Sequence, residues 1–426
     1  MKQNTPILVL ILFIWFIISF VTNILGPMLP MIINDFHLSL TMAAFLPFSF
    51  FLAYGIMSIP AGMMIERFGG KVSLLIAFGF NFTGALLFVL VPSYAVVLAS
   101  LFIIGMGMAM LQVIILPLMR EAGGEKHYAF YSVLSQIIFG TASFISPFVL
   151  TIILKQLTTN SDPSFFIRSL KKYVPGNLPW SSLYLIFMLV FALMLLIISR
   201  IKFPAVKLKE EEKAGTFQNY IELLKKRQVI LFFFGIVAYV GTEQGLANWM
   251  SQFLNTYHGI DPAGKGASAV AWFWGLMSIG CLLGLIIVKL IDSKIMLRIF
   301  GVLAFITLPL ALFGPADVSI IAFPFCGFAI SIMFSVVFSL ALNSEEKHHG
   351  AFSGILCTGI FGGALIPFII GWMGDFMGLR FSMLILFVTV GYIFSVSFWA
   401  KPLVKNEIIK IGELLKQSKR KEELVK

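Results

Sequence analysis

Apolar residues along this chain come in long runs of about 20, parted by short polar stretches. A helix rises about 1.5 Å per residue, so about 20 apolar residues cross the ~30 Å hydrocarbon core of a bilayer. Twelve runs meet that length, at about 7–33, 40–64, 72–91, 95–118, 128–154, 179–200, 229–257, 266–290, 296–313, 316–342, 350–374 and 380–400. They predict an all-α polytopic membrane protein with twelve transmembrane helices. The first run, Ile7 to Ile33, is too long for the apolar core of a signal peptide. It has no small-residue cleavage site ahead of a soluble domain, so it reads as the first span.

Composition agrees: 59% of residues are hydrophobic, 12% are charged and the mean hydropathy is +0.96, against about 25% charged in soluble domains. The net charge of +11 is a matter of topology and not of nucleic acid binding. An even number of spans puts both termini on one side. With the termini inside, only Lys155, Arg168, Lys171, Lys172, Lys265 and Arg380 fall in outer loops, which leaves 25 of the 31 basic residues inside. That bias follows the positive-inside rule; the 155–178 loop, with four of the six, departs from it. Both termini are therefore expected in the cytoplasm, with the chain in the inner (cytoplasmic) membrane as a monomer. The cysteines, Cys281, Cys326 and Cys357, lie inside apolar runs at no metal spacing and read as packing residues. The five histidines fall at loops and helix ends, and no phosphate loop is present, so no metal site, cofactor or ATP-driven step is expected.

Between the sixth and seventh runs lies a charged stretch from Arg200 to Arg227. It divides the chain into a bundle at 1–200, a linker at 201–228, a second bundle at 229–400 and a basic tail at 401–426. Within the linker, 218–227 can form a short surface helix. In the tail, Ile408, Ile409, Ile411, Leu414 and Leu415 alternate with lysines, a pattern suited to anionic lipid. The halves repeat: Ile138-Phe-Gly140 followed by Pro147 matches Ile360-Phe-Gly362 followed by Pro367 at an offset of 222, and Ile7 and Val229 start their runs at the same offset. That offset carries Asn23 to residue 245, which sets a polar residue of each half at mid-depth.

The seventh run holds Tyr239-Val-Gly-Thr-Glu-Gln-Gly-Leu-Ala-Asn-Trp249. Its Glu243 is the acid placed deep in the bilayer, where a charged acid costs roughly 2.5–3.5 kcal/mol on insertion scales. Such residues line polar cavities, so Glu243 is the candidate ion-coupling group, for H+ or Na+. Deep amides suited to a polyhydroxylated substrate are Asn23, Gln112, Gln136, Gln244 and Asn248, with Trp249 and Trp274 as candidate aromatic platforms. Gln244, Asn248 and Gln252 can share one helix face.

Gly62-Met-Met-Ile-Glu-Arg-Phe-Gly-Gly-Lys71, between the second and third runs, resembles the G-x-x-x-D-R-x-G-R-K loop of the major facilitator superfamily. Gly62 permits close helix approach, Gly69 and Gly70 a sharp reversal, and Glu66, Arg67 and Lys71 can bond to helix ends as a gate. The corresponding second-half loop, Lys289 to Lys294, is degenerate and is assigned no gate. More specifically, the chain is similar to the fucose–proton symporter family, which includes glucose/galactose transporters. Asn23-Ile-Leu-Gly-Pro-Met-Leu-Pro30 resembles its N-D-I-L-x-P, and Phe51 to Gly62 its F-x-x-Y-x-x-x-x-x-P-A-G. Tyr239-Val-Gly-Thr-Glu243 resembles Y-V-G-A-E, and Gly362 to Pro367 resembles G-G-G/A-x-x-P. Asn23 and Gln112 stand where the fucose type carries Asp and Glu, so ion coupling, if kept, passes to Glu243, and uniport stays open. The resemblance implies two six-helix bundles of the major facilitator fold. It implies a secondary active importer of a hexose or related monosaccharide, no enzyme, working by alternating access. Two other readings stay open: an exporter of amphipathic compounds with the same fold, and a non-transporting membrane sensor.

Overall fold

The computed structural model describes residues 4–124, 128–158, 165–176, 178–203, 217–345 and 347–403. Residues 204–216 of the linker and 404–426 of the tail, with its apolar–basic pattern, lie outside them. Among the described residues the chain is helical, with no strand.

Eleven helical runs are long and apolar enough to cross a membrane. One of them, Leu40–Leu90, has 51 residues and would extend roughly 75 Å if straight, more than twice a hydrocarbon core. It breaks at Gly69, with φ 76° and ψ 168°, a conformation that favours glycine because a Cβ would clash with the backbone. The break makes two spans, α2 at 40–68 and α3 at 70–90. The others are α1 (Thr5–Phe36), α4 (Tyr94–Gly123), α5 (Tyr128–Thr158), α6 (Ser182–Arg200), α7 (Arg227–His258), α8 (Ala267–Ile287), α9 (Ser293–Phe313), α10 (Ala316–Leu342), α11 (Gly350–Met377) and α12 (Leu379–Trp399). Twelve spans thus stand among the described residues, and the chain is a multi-pass membrane protein. A short helix, Phe217–Leu224, precedes α7, and another, Phe165–Tyr173, precedes α6.

The first six spans pack on one another: α4 lies along α2 and α3, and α1 lies against α4 and α5. The last six do the same, with α8 and α9 on α10 and with α11 and α12 on α7. The first and last described residues, Asn4 and Leu403, lie at the near face; the opposite one is the far face. Three seams join the halves. In α1 only the far segment Leu25–Phe36 lies along α7, while Thr5–Asn23 packs on α4 and α5 of its own half. A methyl group at Gly26 would run into the Ala247 carbonyl. In the α5–α8 seam, the Thr151 hydroxyl donates to the Ala263 carbonyl at 2.6 Å at the far end. In the α2–α11 seam, Gly371 meets Ala44 and Leu40, and the Phe368 ring lies tilted against Phe45 at 4.9 Å and Phe48 at 5.3 Å. The seams are tight at the far face.

Candidate functional site

Three spans depart from regular helix near mid-depth, two of them, α1 and α11, in the seams. α1 bends at Ile24, between Thr5–Asn23 and Leu25–Phe36. α10 breaks between Ile330 and Met333, and α11 passes through a tight turn at Gly359–Phe361. Interrupted helices free backbone groups at the depth where transporters bind cargo.

The same level carries the polar side chains. On α7 the Tyr239 hydroxyl donates to Glu243 Oε2 at 2.7 Å. The Gln244 amide nitrogen donates to Glu243 Oε1 at 3.1 Å. Asn248 in turn donates from Nδ2 to the Gln244 carbonyl at 2.8 Å and to Gln244 Oε1 at 3.1 Å. Tyr239, Glu243, Gln244 and Asn248 therefore form one hydrogen-bonded chain along a helix, and each carboxylate oxygen holds one donor. A carboxylate accepts only, so two donors suit its ionised form. Glu243 is half-buried between buried neighbours. The Tyr239 ring lies tilted against Phe334 of α10 at 5.5 Å, and Cys281 of α8 lies within electrostatic range of the carboxylate.

Across the α1–α7 crossing at Gly26 and Ala247, Asn23 stands one turn nearer the near face, as Gln244 does on the other half. Its Nδ2 donates to the Ser143 hydroxyl of α5 at 2.8 Å, and Ser143 lies 2.6 Å from the Ser19 hydroxyl. Asn23 Oδ1 is buried without a partner among the described residues, while the neighbouring Thr22 hydroxyl faces the buried Tyr54 hydroxyl. Buried polar atoms are normally paired by protein or water, so unpaired ones call for a ligand or an ordered water. Ser19, Thr22 and Ser143 were not singled out from sequence. The signal was present: Ser19 sits one helical turn from Asn23 on the same face.

Gln112 of α4 is half-buried and Gln136 of α5 exposed, and neither makes a hydrogen bond to a described residue. Gln136 shares its face with Gly140 and Phe144, four and eight residues on. Those two meet α8, Gly140 against Ser278 and Phe144 against Gly275, with Trp272 edge-on to Phe144 at 5.1 Å. Gln136 thus points at the other half, one turn below the last of these contacts, and its exposure shows α5 and α8 diverging toward the near face.

The tryptophans need correcting. Trp249 is fully buried, and its indole N–H donates to the Pro367 carbonyl at 2.9 Å. It ties α7 to α11 and offers no free face to a substrate. Trp274 is 2% exposed, and its N–H is unpaired among the described residues. Gln252 also leaves the set, bonding to Thr256 at 3.1 Å. Two measurements check the distinction. Trp249→Phe deletes one buried hydrogen bond and is expected to lower stability by about 1 kcal/mol, seen as a lower melting temperature with uptake near parental. Trp274→Phe removes a group with no partner and is expected to leave the melting temperature unchanged or raise it.

In the loop assigned as a gate, Gly62 is half-buried, and Glu66 and Arg67 are exposed. The Arg67 guanidinium lies over the adjacent Phe68 ring at 5.3 Å. Lys71 reaches furthest, donating to the Ser199 carbonyl at the end of α6 at 2.8 Å, where a cation offsets the negative helix end. The second-half loop, degenerate by sequence, keeps that contact: Lys294 donates to the Ala400 carbonyl at the end of α12 at 2.9 Å. Glu66 also raises the Tyr220 hydroxyl pKa, after the larger effect of burial, so the linker helix stands beside the gate loop.

A model of the Major Facilitator Superfamily matches residues 11–366. The chain belongs to this superfamily. A glucose/galactose transporter of Brucella abortus is 28% identical over 395 residues, 91% of each chain. The L-fucose-proton symporter of Escherichia coli is 22% identical over 384 residues, covering 86% of this chain and 85% of that one. A crystal structure of the E. coli fucose:proton symporter superposes with a TM-score of 0.67 at 21% identity, over 94% of this chain and all of the other. It shares the fold.

Proposed function

We propose that this major facilitator chain is a secondary active transporter that imports a hexose or related monosaccharide by alternating access, coupled to H+ or Na+ through Glu243. The observation that carries the reading is the Tyr239–Glu243–Gln244–Asn248 chain, facing partly unpaired polar groups of the other half at the same level. A sugar presents several hydroxyls that donate and accept, and Asn23, Gln112, Gln136, Gln244 and Asn248 supply amides that do both. The curated relatives named for sugars support the substrate class. A carboxylate with two donors on it can exchange one donor for a proton, or both for a sodium ion. The Trp274 N–H is the aromatic-side contribution in this reading.

The basic residues favour both termini in the cytoplasm of a bacterial inner membrane, which makes the far face the outer one. The transporter works as a monomer, with the substrate, the coupling ion and lipid as its partners and no cofactor. The test is uptake of a labelled monosaccharide panel into proteoliposomes under imposed pH or sodium gradients. Gradient-driven accumulation of one sugar is the expected result. Flux of amphipathic compounds alone would point to an exporter, and sugar binding without flux to a sensor.

A further inference from the structure

The start of α2 is capped by two different parts of the chain. Ser39 caps it locally, its hydroxyl accepting from the Met42 N–H at 3.2 Å. The preceding donors are taken by Asp375, more than 330 residues away near the far end of α11 in the other half. The Leu40 N–H donates to Asp375 Oδ1 at 2.8 Å, the Thr41 N–H to Oδ2 at 2.9 Å and the Thr41 hydroxyl to Oδ2 at 2.5 Å. One carboxylate thus holds three donors at a helix N-terminus, where the helix dipole also favours negative charge. Directly beneath it Gly371 packs so closely that a Cβ there would stand 2.5 Å from Ala44 Cβ and 2.6 Å from the Leu40 carbonyl oxygen. The carboxylate itself is exposed at the far face.

The internal repeat isolates what is special here. At the offset of 222, Thr41 corresponds to Ala263 in the turn Pro262–Gly266 that leads into α8, and α8 meets α5 as α2 meets α11. Among the described residues that counterpart contact holds one neutral bond, Thr151 to the Ala263 carbonyl at 2.6 Å. Asp261, next to the same helix start, is used locally, accepting from the Ala263 N–H at 3.1 Å. The far face is therefore closed by a charge-assisted clasp on one side and a single hydroxyl on the other.

We propose that Asp375 and the N-terminus of α2 form the latch of the far face, a bond between the halves that must break each time this face opens and that sets how long it stays shut. Breaking it costs little chain rearrangement, because Leu40 and Thr41 N–H groups and the carboxylate all emerge into water. The latch is independent of which substrate or ion the central site takes.

The test reads the separation of the halves, with no sugar needed. Cys281, Cys326 and Cys357 are replaced by serine, and spin labels are placed at Val91 and Asp317, both exposed at the far face, one in each half. Distances are then measured by pulsed electron paramagnetic resonance in lipid nanodiscs. In Asp375→Ala the long-separation population is expected to rise about tenfold over the parent, the factor that roughly 1.4 kcal/mol gives. Asp375→Asn, which keeps an acceptor and loses the charge, should rise less. Asp292→Ala, which removes the cap of α9 at the near face without touching the seam, should leave the distribution as in the parent. The proposal is overturned if Asp375→Ala gives the parental distribution, or if Asp292→Ala shifts it as much. Should Asp375→Ala fail to fold, Thr41→Val removes one of the three bonds alone, and an unchanged distribution there overturns the latch.

Discussion

Glu243→Gln is expected to abolish gradient-driven accumulation of the substrate and to leave substrate exchange within severalfold of the parent. Glutamine keeps the length of the side chain and can still accept from Tyr239, but it carries no charge at any working pH and presents an N–H2 where Gln244 now donates. The variant therefore cannot alternate between an ionised carboxylate held by two donors and a protonated or ion-bound one. The inside-to-outside ratio of labelled substrate in proteoliposomes should fall to unity under an imposed pH or sodium gradient. Counterflow with the same vesicles should persist, because it needs reorientation of the loaded protein but no net ion movement. Full accumulation by the variant would remove Glu243 from coupling, and loss of exchange as well would mark it as a substrate contact or a packing residue.

How much of this could be read in the sequence depends on which coordinate is asked for. Depth was legible. Apolar run length located the spans, Gly69 marked the reversal that splits a 51-residue helical run, and the 222-residue repeat put Asn23 level with the Glu243 region. Azimuth was not. A span apolar nearly all round has no stripe to say which side faces its neighbours. Trp249 therefore read as a platform when its side of α7 is sealed against Pro367. Gln244 and Gln252, two turns apart, read as equivalent when one bonds the carboxylate and the other bonds Thr256. Long-range polar pairs were equally hidden. Nothing near Asp375 in sequence marks it as the cap of a helix that starts at Leu40, and nothing in the degenerate second-half loop marks Lys294 as the partner of α12. The mid-depth breaks of α10 and α11 also lack a local sign as plain as Gly69.

The largest loss of transport from a residue outside the polar site is expected at Gly26. A Cβ at this position would overlap the Ala247 carbonyl oxygen and crowd the Asn248 Cα. These are backbone atoms of α7, which cannot rotate aside as a side chain would. Overpacking a well-filled contact typically costs 1–3 kcal/mol even where side chains can adjust. For Gly26→Val the strain falls almost wholly on the state in which the far segment of α1 lies against α7. Each half keeps its own packing, since Thr5–Asn23 rests on α4 and α5. The variant should accordingly insert and purify like the parent, with uptake lowered at least tenfold and the halves held apart at the far face. Spin labels at Val91 and Asp317 should then report the longer separation as the main population. Gly26→Ala, with the same Cβ and no branches, should fall between the two. If Gly26→Val transports normally, α1 and α7 do not need this close approach for turnover, and the tight far seam is one packing among several that the cycle can use.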